Sequence, residues 1–369
     1  MPKLEHNEQH TVTKATIALL CIALVIAFTY MGRAVVIPVL FSILLGIVLR
    51  PVEKFLNNKF RFPRILAILT TVFLFMLLIS GLIYFITYEL TIFMNDLPTL
   101  KKNLQEHFFQ FRVWLSESLN IGYAKQQQYI NNAQQQMKEE GPGNIASSTL
   151  STLTGLFTAA VVVPVLLFLV MYYRTLFLNF LLRVFGEENR GKMTAIISES
   201  KDAMQSYVAG LFLEMLCVSL LQTTAMWIVG IKYFVFIGLI TGVLNIIPYI
   251  GILIAGSIGI LIALATGADA THVLLLILGF SVVQFIDNNI LLPKLVGHRV
   301  RINAFFSITG VIAGGLICGV AGMFLAIPIM ALMKVVFDNI ERLKPWGDLI
   351  GDSMPRMVKW KKMYWPKID

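Results

Sequence analysis

Charge is what this sequence has least of. Only 14% of its 369 residues are Asp, Glu, Lys or Arg, and its mean hydropathy is +0.76. Soluble domains carry about 25% charged residues, so the composition excludes a water-facing globule. Cysteine is scarce as well. Cys21, Cys217 and Cys318 each lie inside an apolar run, far from one another, with no metal or redox spacing. The five histidines, His6, His10, His107, His272 and His298, stand in tails or loops without ligand spacing. There is no P-loop, no G-x-S-x-G and no H-E-x-x-H. The residues thus offer no catalytic constellation, no metal or cofactor site and no nucleotide site for driven pumping. The expectation is a protein that is not an enzyme and carries no cofactor.

What the sequence has in abundance is apolar length, with 57% of its residues hydrophobic. A bilayer crossing needs about 20 such residues. A helix satisfies its own backbone in lipid, whereas a transmembrane barrel would show short alternating strands. The expected fold is an all-α integral membrane protein with about eight membrane segments. The formal net charge is +9, but the basic residues cluster beside apolar runs. That pattern is the positive-inside effect, so the expected partner is the lipid bilayer and not nucleic acid.

The first section, 1–87, holds three apolar runs at 15–31, 34–49 (with Pro38) and 65–87. Lys3 and Lys14 precede the first run, as in a signal peptide. No small-x-small cleavage site follows and Arg33 comes next, which argues for a retained span. The segment 50–64, with Arg50, Lys54, Lys59, Arg61 and Arg64, is expected to be a basic cytoplasmic loop. A polar section, 88–149, follows. Leu97, Leu100, Leu104, Phe108, Phe111, Leu115 and Leu119 recur every three or four residues, and a Gln-rich stretch precedes Gly141-Pro142-Gly143. The pattern predicts an extramembrane amphipathic helical hairpin, outside the cytoplasm by alternation of spans.

The section 150–336 reads as a transport core. It contains runs at 151–173 (with Pro164) and 205–230 (with Glu214 and Gln222), separated by the mixed-charge segment 174–204. The stretch 233–267 is too long for one span and is interrupted at Asn245-Ile246-Ile247-Pro248-Tyr249-Ile250-Gly251, where proline and glycine should break a helix. An ordinary span, 272–291, ends in Asp287-Asn288-Asn289 and leads into Lys294, His298, Arg299 and Arg301. The stretch 303–336 carries Gly310, Gly314, Gly315, Gly319, Gly322 and Pro328, and a basic tail covers 337–369. If the basic loop and the basic tail share the cytoplasmic side, 303–336 must enter and return on that side. The same count sends 233–267 in from the opposite side. Two broken, re-entrant-like hairpins of opposite orientation resemble the interrupted helices of secondary transporters. Both termini are then expected in the cytoplasm.

Charges inside apolar runs cost roughly 3 kcal/mol at the bilayer centre, which singles out Asp287 and Glu214. Each is either a proton, cation or solute site or a helix-end carboxylate reaching water. Gln222, Asn245, Gln284, Asn288 and Asn289 either line a polar path or cement helix pairs. The break from Asn245 to Gly251 frees backbone groups that can bind polar ligands. The glycines, Gly315, Gly319 and Gly322 among them, favour close packing and permit a bend.

These residues, in this order, resemble the autoinducer-2 exporter family. The likeness rests on Asn245-Ile-Ile-Pro-Tyr-Ile-Gly251, then Gln284-Phe-Ile-Asp-Asn-Asn289 with Pro293, Gly297 and Val300, then Gly315 to Gly322 and Ala326-Ile-Pro328. It extends over nearly the whole chain, including the early basic loop, the helical insert, and Tyr207 with Gly210. The resemblance implies a homo-oligomeric inner-membrane transporter that does not use ATP. Members are associated with export of autoinducer-2, others with sodium or lithium extrusion against protons. It further implies Gln284 and Asp287, together with Asn288, Asn289, Asn245, Pro248, Tyr249 and Gly251, as path residues, to which the residues themselves add Glu214. Gly315, Gly319, Gly322 and Pro328 are expected to serve hinge and packing roles. The leading expectation is export of a small polar metabolite such as autoinducer-2. A cation/proton antiporter is the alternative, and a membrane scaffold recruiting partners through 96–140 is the alternative of another class.

Overall fold

The computed structural model describes residues 16, 17, 20, 21, 23–100, 102, 103, 105, 109, 113, 142–186, 189–247, 250–296 and 302–352. Most of the insert expected at 88–149 and most of the basic tail lie outside the described residues. Among the described residues the chain is an all-α membrane protein without a strand ladder. Its helices are α1 (Ala23–Met31), α2 (Arg33–Val48), α3 (Arg50–Phe60), α4 (Arg64–Asn95), α5 (Pro142–Val184), α6 (Arg190–Val229), α7 (Phe234–Leu244), α8 (Ile250–Ala265), α9 (Ala270–Ile286), α10 (Ala304–Asn339) and α11 (Lys344–Ile350). α9 continues as a π-helical stretch over Asp287–Val296, a register that accommodates Pro293.

Five described segments are long and apolar enough to cross a membrane: Arg64–Asn95, Ala160–Val184, Arg190–Val229, Ala270–Val296 and Ala304–Asn339. A sixth arises if α1 and α2, bent by 95° at Gly32, are taken as one. Large apolar side chains such as Phe73, Leu77, Leu78 and Tyr84 on α4 point outward and exposed, as a lipid solvent requires.

One segment differs from the sequence reading. The expected basic loop at 50–64 is largely the helix α3. Pro51 starts it, Glu53 and Leu56 bury one side, and Arg61 ends it in the left-handed region at φ 55°. Its charges mark the exposed side of a helix rather than a loop. The mixed-charge segment 174–204 is largely helical too, because α5 runs on to Val184 and α6 begins at Arg190.

The chain divides into two compact units. The larger comprises Pro38–Arg174 and Ala209–Leu295. One of its cores is Leu45, Ile68, Val72, Leu167 and Met171. Close by, Ser42 donates to the Pro38 carbonyl, and the buried Glu53 carboxylate pairs with Arg174 at 3.2 Å. The second core joins Met226, Ile231, Tyr233, Phe236 and Ile237 to Ala255, Ile262 and Phe280. Here α7 and α8 form an antiparallel hairpin, with Gly251 beside Leu244 and Gly259 beside Ile237. α7 lies unusually close to α6. A Cβ at Gly238 would strike Thr223 and the Ser219 carbonyl, and one at Gly242 would strike Ser219 and the Met215 carbonyl. This small-xxx-small face fixes the register of the two helices.

The chain just beyond α4 straps the feet of that hairpin. Asp96 accepts hydrogen bonds from Lys232 at 2.7 Å and from the Tyr233 hydroxyl. The Asn103 amide donates to the Ala265 carbonyl at 3.0 Å, and Leu100 is buried in the core. Phe93 stacks on Phe236 and meets Tyr233 edge-on, pairs worth about 0.5–1.5 kcal/mol each beyond their buried area.

The other unit comprises Met1–Ile37, Thr175–Val208 and Val296–Asp369. Its centre is α10, which by length alone would make a crossing. Gly319, at φ 64° and ψ −150°, folds it back on itself, a conformation essentially confined to glycine. Gly310 meets Met330, Gly315 meets Met323, and the Gly314 and Gly322 backbones touch. Asn303 closes the base of this hairpin. Its side chain accepts from the Phe306 amide and donates to the Leu349 and Gly351 carbonyls, beside an Ile302–Gly351 bridge.

Candidate functional site

The register of α6 against α7 decides what meets at the end of α7. Moving along α7, Gly238 faces Ser219 and Thr223, Gly242 faces Met215 and Ser219, and the next turn brings Asn245 to Glu214. α7 ends at Leu244, so Asn245 sits on a turn rather than inside a helix. Gly251, the second residue of α8, lies against the Leu244 carbonyl and the Asn245 amide nitrogen. A side chain there would push the two arms apart.

Asn245 Nδ2 donates to Glu214 Oε1 at 3.3 Å and to Asp287 Oδ2 at 3.1 Å. Asp287 stands where α9 passes into its π-helical stretch. Three elements therefore deliver two carboxylates to one amide. Both acids are buried, Glu214 at 3% and Asp287 at 4% exposure. Among the described residues neither has an ion-pair partner, and the outer oxygens, Glu214 Oε2 and Asp287 Oδ1, accept no hydrogen bond. Asn245 supplies two N–H donors but no charge. Two carboxylates so placed repel in a low-dielectric interior. Chemically such an arrangement can take up one positive charge, a proton or a monovalent cation, at the two oxygens that accept no hydrogen bond among the described residues.

The other residues singled out in the sequence are distributed differently. Gln284 donates to Asn288 at 3.0 Å along its own helix, and Asn289 donates to the Phe285 carbonyl at 2.8 Å. Asn288 and Asn289 are exposed, and their hydrogen bonds among the described residues run along their own helix rather than to either carboxylate. Pro248 and Tyr249 lie outside the described residues. Gly315, Gly319, Gly322 and Pro328 belong to the α10 hairpin in the other unit, with Pro328 buried. Sequence reasoning marked Glu214 and Asp287 separately and missed their meeting. It also missed the Asp96–Lys232–Tyr233 cluster, whose parts are more than a hundred residues apart. The Lys232 and Tyr233 hydrogen bonds hold the Asp96 carboxyl below its ordinary range, and Asp96 raises Lys232 in turn. Beside them a pocket of about 280 Å³ opens between Gly230–Ile231–Lys232 and Thr266–Gly267–Ala268–Asp269, with His272 on its wall.

The profile of the AI-2E family transporter matches residues 19–342. The chain belongs to the AI-2E transporter family. Relatives of this AI-2E chain include two proteins of Bacillus subtilis (strain 168). "Putative transport protein YrrI" is 26% identical over 85% of this chain and 88% of its own length. "Putative transport protein YueF" is 28% identical over 83% of this chain and 84% of its own. "Putative permease PerM" of Escherichia coli (strain K12) is 25% identical over 52% of this chain and 55% of its own length. The AI-2E match contains Glu214, Asn245 and Asp287, so the carboxylate pair lies within the transporter portion of the chain.

Proposed function

We propose that this AI-2E family member is a secondary transporter of the bacterial inner membrane that exports a small polar metabolite such as autoinducer-2. In this reading Glu214, Asn245 and Asp287 hold the coupling ion, a proton or a monovalent cation. The observation that carries the proposal is the pair of buried carboxylates sharing one neutral amide, with no ion-pair partner among the described residues. Such a site alternates between charged and neutral occupancy, which is what ion-coupled exchange requires. The break after α7 supports it, since interrupted helices are where secondary transporters place their substrates and ions.

In the same reading the chain makes about eight membrane segments. The α7–α8 and α10 hairpins enter from opposite sides, and both termini lie in the cytoplasm. The sections 1–87 and 88–149 serve as scaffold and homo-oligomer contact, and 150–336 is the moving core. Gln284, Asn288, Asn289, Pro248, Tyr249 and Gly251 line the approach, while Gly315, Gly319, Gly322 and Pro328 shape the second hairpin.

The second carboxylate favours one further reading, cation/proton antiport with no metabolite cargo. Proteoliposomes separate the two. Labelled autoinducer-2 precursor is followed beside sodium-driven proton flux, with wild type, Glu214→Gln and Asp287→Asn in parallel. Precursor movement that collapses in both variants supports the exporter. Proton flux without precursor movement replaces it with the antiporter, and full activity of both variants removes the pair from the mechanism.

A further inference from the structure

Three arginines converge at the start of α4 around one carboxylate. Arg50 opens α3, Arg64 opens α4, and Arg174 lies on α5. Arg174 Nη1 pairs with the buried Glu53 carboxylate at 3.2 Å. Arg64 Nη2 donates to the carbonyl of Tyr172, two residues before Arg174, at 2.9 Å, and its guanidinium lies over the Tyr172 ring. Arg50 and Arg64 are both close enough to repel Arg174, and Glu53 is the one carboxylate that attracts it. Arg50 is half-buried and makes no ion pair among the described residues, and its Nε is buried without an acceptor. The whole group belongs to one compact unit.

A guanidinium stays charged at any physiological pH, and like charges repel more strongly the less water surrounds them. One acid against three such groups leaves two positive charges in excess, a match for an anion from outside the chain. The level of the cluster says which anion. Arg64 is the first residue of a helix long and apolar enough to cross a membrane, so the cluster lies where α4 enters the bilayer. Ile65, Leu66 and Leu69 follow it on α4 and are exposed. Tyr172 and Tyr173 are exposed on α5, and tyrosine favours the headgroup level. An anion met at this level carries acyl chains beside it.

We propose that Arg50, Arg64 and Arg174 form a headgroup site for an anionic glycerophospholipid, with the phosphate among the guanidinium groups and the acyl chains along Ile65, Leu66 and Leu69. The planar guanidinium presents five N–H donors in a fork that matches phosphate oxygens. Arg64 and Arg174 keep further donors after their bonds to Tyr172 and Glu53. Glu53 anchors Arg174 without cancelling the cluster. A zwitterionic lipid would bring its own cation to the arginines and gain less. The inference is independent of what the protein transports.

The test uses the full chain in detergent micelles, titrated with phosphatidylglycerol, phosphatidylcholine or inorganic phosphate, with bound mass read by native mass spectrometry. Phosphatidylglycerol should be held about tenfold or more tighter than phosphatidylcholine, the scale of two unpaired basic residues at a headgroup. Arg50→Gln and Arg64→Gln should each weaken it about tenfold, the scale of one charge-assisted hydrogen bond. Arg50→Lys, which keeps the charge and loses the fork, should recover part of the affinity. Lys59→Gln removes the same charge from the far end of α3, where Lys59 lies over the Phe55 ring, and should stay within about twofold of wild type. Equal retention of the two lipids overturns the proposal. Displacement of phosphatidylglycerol by millimolar inorganic phosphate makes this a free-anion site and also overturns it. An equal loss in Lys59→Gln reduces the effect to diffuse surface attraction, with the same consequence. If Arg50→Gln does not fold, Arg64→Gln at its exposed position carries the test. Failure of both to fold makes the arginines structural and overturns the site.

Discussion

Asn245 gives Asp287 a hydrogen bond at 3.1 Å, and each of the two stands where a helix changes character: α7 ends just before Asn245, and α9 passes into a π-helical stretch at Asp287. Two irregularities thus face one another, and Glu214 on the regular helix α6 completes the group.

The three side chains should act as a unit. Glu214→Gln and Asp287→Asn are each expected to lower ion-coupled flux by about a hundredfold while leaving the protein folded, since each replaces an ionisable carboxyl by an amide of the same size. The double variant should be hardly worse than either single one, because residues in one network are not additive. Flux in proteoliposomes across the full cycle measures this, and simple multiplication of the two losses would show that the acids work separately.

Asn245→Leu removes the amide and leaves two carboxylates buried without a donor. The expected cost is about 1–3 kcal/mol for each acceptor left unpaired, seen as a lower melting temperature, together with loss of transport. Asn245→Asp retains acceptors but no donor and should be equally inactive. A variant at this position with wild-type stability would mean that the acids find other donors.

Gly319→Ala should destabilise the α10 hairpin by about 1–3 kcal/mol, the strain of forcing a side chain into that backbone region. Gly322→Ala should cost more, since its Cβ would fall on the Gly314 carbonyl and no flexible side chain can yield. Thermal unfolding of the purified variants orders the two.

The strap at Asp96 has a pH window that can be worked out. Its carboxyl is lowered from 3.8 by Lys232 and Tyr233, so the contribution is present above the unfolded value and vanishes as pH falls through the lower folded one. Lys232 is raised from 10.5, so its contribution is present below that value and is lost as pH rises through the higher folded one. Asp96→Asn should therefore differ from wild type at neutral pH and converge with it in strong acid. Hydrogen exchange at Lys232 to Phe236 reads the effect, and a difference that persists in strong acid would show that the hydroxyl of Tyr233, not charge, holds the strap.

Glu53→Gln leaves Arg174 without its partner. Because Arg174 keeps 31% of its side chain in solvent, the expected loss is about 2–3 kcal/mol, at or below the lower end for a fully buried pair. Glu53→Gln combined with Arg174→Met should restore much of it.

How far the sequence reached follows from the range of each interaction. Apolar length is a local property, so the membrane class and the long helices could be read directly. The end of α7 was legible because the sequence there is crowded with Asn, Pro and Gly. At α10 the same logic was too generous, with Gly310, Gly314, Gly315, Gly319 and Gly322 all able to bend the chain. Only the folded backbone, with Gly319 at φ 64° and Met330 and Met323 packed on Gly310 and Gly315, shows which glycine is the bend. Charge misled at 50–64, where Pro51 and the buried face of Glu53 and Leu56 were the better signal of a helix. The Glu214–Asp287 encounter was beyond reach, because it depends on how Gly238 and Gly242 seat α7 on α6, a fact of packing between helices.

The Asn303 clasp gives the α10 hairpin a history. Its side chain waits for carbonyls that lie 46 and 48 residues further along the chain. During synthesis, then, the first arm of the hairpin leaves the ribosome with its base unclosed, and the second arm must follow and α11 must form before Leu349 and Gly351 arrive. The hairpin is latched by sequence made after it. A stop codon between Asn339 and Leu349 would spare every residue of the hairpin and still release a protein whose hairpin has no latch.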